Sequence, residues 1–432
     1  SWPMKRVCVI GAGPSGLAAA RNAIQAGLGD GLVVFEKSGE VGGNWVFREG
    51  AGHSSVYEST HIISSKYHSA YEDFPFPEGA ADYPSHKELR RYFESYATHF
   101  GVHGKIRFRT EVLSAIPEGD QWRITSKGPR GKKTETFDAL MVANGHHWDP
   151  SMPALPGKFS GRFMHSHDFK HARPFAGKRV LVMGGGNSAA DVAVECSRVA
   201  AHTTISMRHG HWFLPKFVFG VPNDVLYHRS LWLPGFIRQP LLRWTILLLQ
   251  GSNSRYGLPE PSYDILEGHP TLNSELYYFI RHGEISPKPG IKSVKGSRVT
   301  FADDSSADFD VIIAATGYNI VFPFLDKSIV DLSGKTEVGL WRKMFHPHYH
   351  NLYFIGLFQP LGCIWPLADF QAKLACQEIL GKYERPSNIG KAIDKEIKKP
   401  HYKFVRSPRH STEVDYPRFR RELLTEIRKC RP

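Results

Sequence analysis

Three glycines spaced as Gly11-x-Gly13-x-x-Gly16, with Glu36 about twenty residues further on, are the residues of this chain whose types and spacing point most directly to chemistry. Gly11 permits a tight turn, Gly13 lets the backbone approach a pyrophosphate, and Gly16 lets a helix pack closely on a strand. Phosphates then rest on the free N–H groups at the start of the helix, around Pro14 and Ser15, where the helix dipole favours negative charge. Glu36, followed by Lys37, ends the next strand and is placed to hold a ribose hydroxyl. A second set, Gly184-x-Gly186-x-x-Ala189, repeats the pattern with Asn187, Ser188 and Asp191. The strand after it closes on Arg208 with no acid at its end, and His209 and Lys216 add positive charge nearby. A guanidinium at that place suits a 2′-phosphate, which favours NADPH over NADH. Two such turns imply two nucleotides held at once, and the economical pairing is a flavin with a nicotinamide.

The elements that must position these residues are legible around them. RVCVI before the first turn reads as a buried strand, LAAARNAIQAG behind it as a helix, and GLVVFE as the next strand. GKRVLVM and HTTISMR repeat the strands around the second turn. VGGNW, with Gly43, Asn44 and Trp45, is the loop expected to lie over the first cofactor's ribitol and ring. SHKELRRYFESYATHFG predicts an amphipathic helix opened by a Ser85 and Glu88 capping box, and TFDALMVANG and VIIAATGY predict buried strands. The apolar run 231–250 is interrupted by Pro234, Arg238, Pro240 and Arg243, too broken for a transmembrane helix. It reads as a core segment or lid, with a membrane-surface face as the other reading. The fold class is therefore α/β with two dinucleotide-binding, Rossmann-like domains, the second inserted in the first. Expected boundaries are 1–155 for the FAD-binding first segment, 156–314 for the NADPH-binding insert, and 315–432 for the returning FAD segment and tail.

Composition narrows the function classes. At 432 residues the chain exceeds one ordinary core. Its five cysteines show no C-x-x-C and no metal-ligand spacing, which argues against a dithiol reductase, a disulfide scaffold and a metal site, and points to a cytoplasmic location. The net charge of +13 is dispersed except over 391–403 and 406–431, so a solvated basic tail is expected rather than a nucleic-acid surface.

Further motifs carry a family resemblance over nearly the whole chain. FSGRFMHSHDF, with Phe159, Gly161, His165 and Phe169, ATGY at Ala315–Tyr318, GLFQPLG at Gly356–Gly362 and STEVDYPRF near the C-terminus resemble the signatures of the flavin-containing monooxygenases. The related Baeyer–Villiger enzymes end the first motif in tryptophan, so Phe169 places the chain nearer the heteroatom oxygenases. The resemblance implies FAD on the first turn with Glu36, Asn44 and Trp45, and Val112 of the TEV triplet near its adenine. It implies NADPH on Gly184 to Asp191 with Arg208, and cofactor contacts at Thr316, Gly317, Tyr318 and Gln359. The implied chemistry is oxygenation of amines or sulfides through a C4a-hydroperoxyflavin, with NADPH and O₂ as co-substrates and His165 linking the domains.

Two departures from the family pattern stand out. Ile63 occupies the place of the asparagine usual beside the flavin, so Ser64, His61 or a backbone group substitutes for it. The C-terminus ends in RKCRP with no hydrophobic tail, as expected of a soluble member. Baeyer–Villiger oxygenation of ketones, uncoupled NADPH oxidation to H₂O₂, and cofactor binding without turnover stay open as alternatives, as does a homodimer.

Overall fold

The computed structural model describes residues 4–47, 57, 60–145, 149–402 and 411–432. Residues 48–56, 58–59, 146–148 and 403–410, the last within the basic C-terminal run, lie outside the described residues. The chain divides into two compact units: one runs through Val46 and resumes over Lys66–Asp149 and Asn319–Pro432, and the other combines Phe47–Ser65 with Pro150–Tyr318. The segment Phe47–Ser65, early in sequence, thus clusters with the second unit.

The first unit is built on a five-stranded parallel sheet in the order Leu352–Phe354, Ala139–Val142, Val7–Ile10, Leu32–Phe35, Ile106–Arg107. Val7–Ile10 is buried at every position, as an uninterrupted apolar run in a parallel sheet covered on both faces must be. The chain leaves this central strand to one side through Leu32–Phe35 and reaches the other side only much later. The carboxyl end of Val7–Ile10 is therefore a topological switch point, where ligands of such sheets bind. The helix Pro14–Gln25 follows the turn and packs against Trp365–Ile379 from the returning segment. Asp369 fastens the two, accepting from Asn22 Nδ2 at 2.7 Å and Arg21 Nη1 at 3.2 Å. An antiparallel ribbon of Glu111–Glu118, Gln121–Gly128 and Gly131–Phe137 adds Trp122, whose Nε1 donates to Asn351 Oδ1 at 3.0 Å.

The predicted strand through TFDALMVANG is two strands broken at Asp138, whose carboxylate accepts from Arg6 N at 2.7 Å and Gln121 Nε2 at 3.0 Å. Helix His86–His99 has only half of the expected capping box. Ser85 Oγ accepts from Glu88 N at 3.3 Å, while Glu88 Oε2 accepts from Ala81 N.

The second unit repeats the plan. Its parallel sheet runs Arg162–His165, Val311–Ala314, Arg179–Met183, His202–Ser206, Ile285–Lys288, again with the strand before the glycine turn at the centre. Helix Asn187–Ser197 starts directly behind the turn, with Gly186 as its N-cap. The apolar run at 231–250 is not a core segment. It forms helix Gly235–Gln250, in which only Ile246 is buried, with Pro240 inside it and several large apolar side chains facing outward.

Close packing of helix on strand differs between the two turns. A Cβ at Gly16 would lie 1.8 Å from the carbonyl oxygen of Gly11, whereas Ala189, the equivalent residue of the second turn, carries its methyl group fully buried. Gly16→Ala should therefore cost at least about 3 kcal/mol, the upper end of overpacking, because backbone rather than a flexible side chain must move. Ala189→Gly should cost only about 1 kcal/mol in helix propensity. Thermal unfolding of the two variants side by side measures the difference.

Candidate cofactor-binding and active site

The two glycine turns have the same construction. At the end of Val7–Ile10, Gly11 adopts φ +107°, and a Cβ there would stand 2.4 Å from the carbonyl oxygen of Ala143, just past the neighbouring strand. At the end of Arg179–Met183, Gly184 adopts φ +131°, and its Cβ would stand 2.6 Å from the carbonyl oxygen of Ala315. Each turn is thus pressed against the strand across the switch point, where only glycine fits.

Both following helices start on glycine, at Gly13 and Gly186, with no side-chain cap and no acid in the first turn. By contrast, the helices starting at His86, Ile389 and Tyr416 are capped by Ser85, Asn388 and Asp415. Uncapped N–H groups at a glycine-backed helix start fit a phosphate.

Around the first turn, Gly42 N donates to Ala12 O at 3.0 Å, and a Cβ on Gly43 would meet Gly13 Cα at 3.0 Å. The loop bearing Gly43, Asn44 and Trp45 is therefore laid back against the phosphate turn. Trp45 packs edge-on to Trp365, which packs edge-on to Phe93. Glu36 is buried, with Oε1 accepting from Ala12 N at 2.9 Å and Oε2 from Ser38 N at 2.7 Å. Each oxygen keeps acceptor capacity for a ribose hydroxyl, so the fit survives, but the carboxylate also braces the turn. Lys37 is exposed and 3.9 Å from Glu111. Val112 is buried in the core of this unit, and Gln359 pairs with Glu413 through a short parallel bridge. Gly356, the first residue of the GLFQPLG motif, lies over Ser15, where a Cβ would stand 2.1 Å from Ser15 Oγ. The Gly356 amide donates to buried Gln371 Oε1 at 2.9 Å.

The second turn is held by residues that no motif announces. Thr271 Oγ1 donates to Gly185 O at 2.7 Å, Leu272 N donates to Asn187 Oδ1 at 2.6 Å, and Asn273 Nδ2 donates to Asp191 Oδ1 at 2.8 Å. The His211 ring lies where a Cβ on Gly185 would be, 2.3 Å from it. The side chains of Asn187 and Asp191 thus serve the turn itself. Ser188 is exposed at the start of the helix. Arg208 is exposed, its stem lying over Gly290. Its guanidinium makes no hydrogen bond or ion pair among the described residues.

His165 Nδ1 accepts from His167 N at 3.0 Å, so the proton is on Nε2, which donates to Gly317 O at 2.9 Å. Burial pushes its pKa below the ordinary value, and the ring is neutral. Thr316 Oγ1 donates to Ser151 O at 2.7 Å, and Tyr318 packs edge-on to His165 and His167. His61 is exposed, Ile63 half-buried and Ser64 buried.

This is a two-nucleotide α/β architecture, with two glycine turns at two switch points. Residues 4–432 match the family model described as flavin-binding monooxygenase-like. The chain is 35% identical to flavin-containing monooxygenase 5 of Mus musculus, over 95% of this chain and 80% of that one. It is 34% identical to the N-oxide-forming dimethylaniline monooxygenase 2 of Rattus norvegicus, over 98% of this chain and 83% of that one. Among solved structures it resembles S-allyl-L-cysteine S-oxygenase from Allium sativum, with a TM-score of 0.74 at 24% identity, over 99% and 90% of the two chains. It also resembles cyclohexanone monooxygenase from Rhodococcus sp. Phi1, with a TM-score of 0.69 at 15% identity, over 98% and 97%. The chain belongs to the flavin-binding monooxygenase-like family and is a flavin-dependent monooxygenase. Among the described residues no helix is long and apolar enough to cross a membrane.

Burial pushes the Asp191 pKa up to about 6, despite Lys216 and the hydrogen bond from Asn273. The folded state then binds a proton that the unfolded chain, near the ordinary aspartate value, releases. Stability from this group is complete below about pH 4 and is lost as pH rises through about 6, a fall of about 1–2 kcal/mol after allowing for partial solvent access. Asp191→Asn, which keeps an acceptor for Asn273, should flatten that slope in melting temperature recorded between these pH values.

Proposed function

We propose that this enzyme uses NADPH and O₂ to oxygenate soft nucleophiles, forming N-oxides or S-oxides from amines and sulfides. The observation that carries the reading is the pair of uncapped glycine turns at two switch points, one with Arg208, unpaired among the described residues, two positions past the next strand. Relatives at 34–35% identity over nearly the whole chain, one of them named as N-oxide-forming, support the product class.

In this reading FAD lies on Gly11, Gly13 and the amides following Pro14, its ribose on Glu36 and its ring beside Asn44 and Trp45. NADPH lies on Gly184, Gly186 and the amides of Asn187, Ser188 and Ala189, with its 2′-phosphate on Arg208. Bound flavin supplies the electron transfer and oxygen activation that no side chain here provides. The residues of the chain bind, orient and exclude water. Glu36 holds both the ribose and the turn that receives the pyrophosphate, so the cofactor meets a preorganised seat. Half-buried Ile63 and buried Ser64 are the residues of the second unit that stand in the sequence where the family has its asparagine. His165 is a positioning residue, since both ring nitrogens are already engaged. Five cysteines without a disulfide fit a cytosolic setting.

Incubating the FAD-loaded enzyme with NADPH and a tertiary amine or thioether should give oxide in near-equal amount to NADPH consumed. H₂O₂ in that amount instead assigns an oxidase, and ester from a ketone with no oxide assigns ketone oxygenation. Arg208→Ala should raise KM for NADPH by about 10- to 100-fold, the loss of one charge-assisted contact, with little change for NADH. Equal losses for both nucleotides would remove Arg208 from the phosphate.

A further inference from the structure

Phe47–Ser65 lies in sequence between two stretches of the first unit, yet it belongs to the second. Among the described residues, two carboxylates of the insert hold it there. Asp191, on helix Asn187–Ser197, accepts from the Tyr57 hydroxyl as well as from Asn273 Nδ2, the latter at 2.8 Å. The Tyr57 ring packs edge-on to Phe169 at 5.5 Å, against the core of the same unit. At the other end, Asp224 accepts from Ser65 N at 2.7 Å. Asp224 stands in the first turn of helix Asn223–Arg229, where the helix dipole favours negative charge.

Between these anchors, Tyr57 N donates to Thr60 Oγ1 at 2.8 Å and Thr60 N donates to Tyr57 O at 3.0 Å, while Ile62, Ser64 and Ser65 are buried. The next residue, Lys66, belongs to the first unit, where its amide donates to Asp82 O and its ammonium to Ala80 O, each at 2.7 Å. The change of unit thus falls on a single peptide link, just past Ile63 and Ser64. The Asp191 carboxylate joins this stretch to the clamp on the second glycine turn, since Leu272 N donates to Asn187 Oδ1 and Asn273 to Asp191 itself. Asn187 and Asp191 stand one helical turn apart. A ligand seated on the uncapped amides at the start of that helix fixes both residues, and Tyr57 with them. Any ligand that binds only this ordered arrangement also stabilises it.

We infer that Tyr57 and Asp224 are positioning residues that tie Ile63–Ser65 to the second nucleotide seat, so that a dinucleotide on that seat holds in place the stretch standing where the family has its flavin-side asparagine. The inference rests on the reading that NADPH occupies the second turn, and its test separates the two. Coupling of this kind is reciprocal. The factor by which nucleotide stabilises the ordered stretch is the factor by which the intact tether strengthens nucleotide binding.

The test is hydrogen exchange of the FAD-loaded enzyme, followed by mass spectrometry with and without saturating NADP⁺, beside calorimetric titration of NADP⁺. Nucleotide should slow exchange of the 60–65 amides at least about fivefold, the lower end of ordinary coupling between sites, and leave the ribbon Glu111–Gly128 unchanged. Tyr57→Phe keeps the ring and removes the hydroxyl. It should cut that protection to less than about twofold and weaken NADP⁺ binding by the same factor as the protection lost, with flavin content unchanged. Asp224→Ala should leave the Ser65 amide exchanging fast with or without nucleotide, and Asp224→Asn, which keeps an acceptor for that amide, should restore slow exchange. A brace with no link to the nucleotide gives equal exchange in both states. NADP⁺ that binds without slowing the 60–65 amides, or protection undiminished in Tyr57→Phe, overturns the inference and leaves the cofactor reading standing. NADP⁺ that does not bind overturns both.

Discussion

The structure depends on places where one stretch of backbone touches another with no side chain between them. A Cβ on Gly16 would be 1.8 Å from the Gly11 carbonyl, and one on Gly11 would be 2.4 Å from the Ala143 carbonyl. The first helix, the turn and the neighbouring strand are therefore locked by three backbones in mutual contact, and Gly43 adds a fourth against Gly13. The uncapped amides at the start of Pro14–Gln25 are a consequence of this contact. The N-cap Gly13 has no side chain to accept from them, and Pro14, which has no N–H, takes the position where the helix needs no donor. Burial of Glu36 against Ala12 N and Ser38 N stiffens the same turn from the side of the next strand.

The second turn reaches a similar geometry by different means. Ala189 stands in place of the third glycine, and the turn is held from the insert by Thr271, Leu272 and Asn273 and overlaid by the His211 ring. Tyr57 joins the group. Burial and the Asp191 carboxylate push its hydroxyl pKa well above the ordinary value, so it remains a donor toward that carboxylate. The second seat is thus braced by side chains where the first is braced by backbone. Side-chain braces can yield by rotation, whereas a backbone contact cannot yield without shifting the sheet.

The difference explains what was legible in the sequence. Backbone contacts select glycine at fixed spacing, so both turns, the central strands Val7–Ile10 and Arg179–Met183, and Glu36 could be read in advance. The clamp at 271–273 could not. Thr and Leu in a two-residue strand, with Asn just after it, have no period, and their function arises only when the fold brings them beside Gly185, Asn187 and Asp191 from about eighty residues away. The core reading of 231–250, offered beside a lid and a membrane-surface face, fails for a related reason. Hydropathy reports that a segment is apolar, but which side of it meets protein depends on where the rest of the unit lies, and Pro240 obscured the helical period. Half of the capping box failed because Glu88 had a competing donor, the Ala81 amide, that local spacing cannot see.

The motif that carries the family resemblance is equally a packing device. A Cβ on Gly161 would meet the Asp310 carbonyl at 2.4 Å and the Phe159 ring at 2.6 Å, so Phe159 and Gly161 seat the edge strand Arg162–His165 against its neighbour. Asp310 in turn accepts from Arg179 N and from Arg179 Nη2, each at 2.9 Å, tying the same corner to the central strand. Phe169 is buried, stacked on Phe175 and edge-on to Tyr57. His165 fixes Gly317, which adopts φ +90°, through a neutral ring whose two nitrogens are both occupied. The motif thus engages Phe159, Gly161, His165 and Phe169 in packing or hydrogen bonding. Its identity is set by the need to hold one sheet edge and one glycine carbonyl in place, which is what an enzyme requires of its protein when the reacting atoms belong to its cofactors.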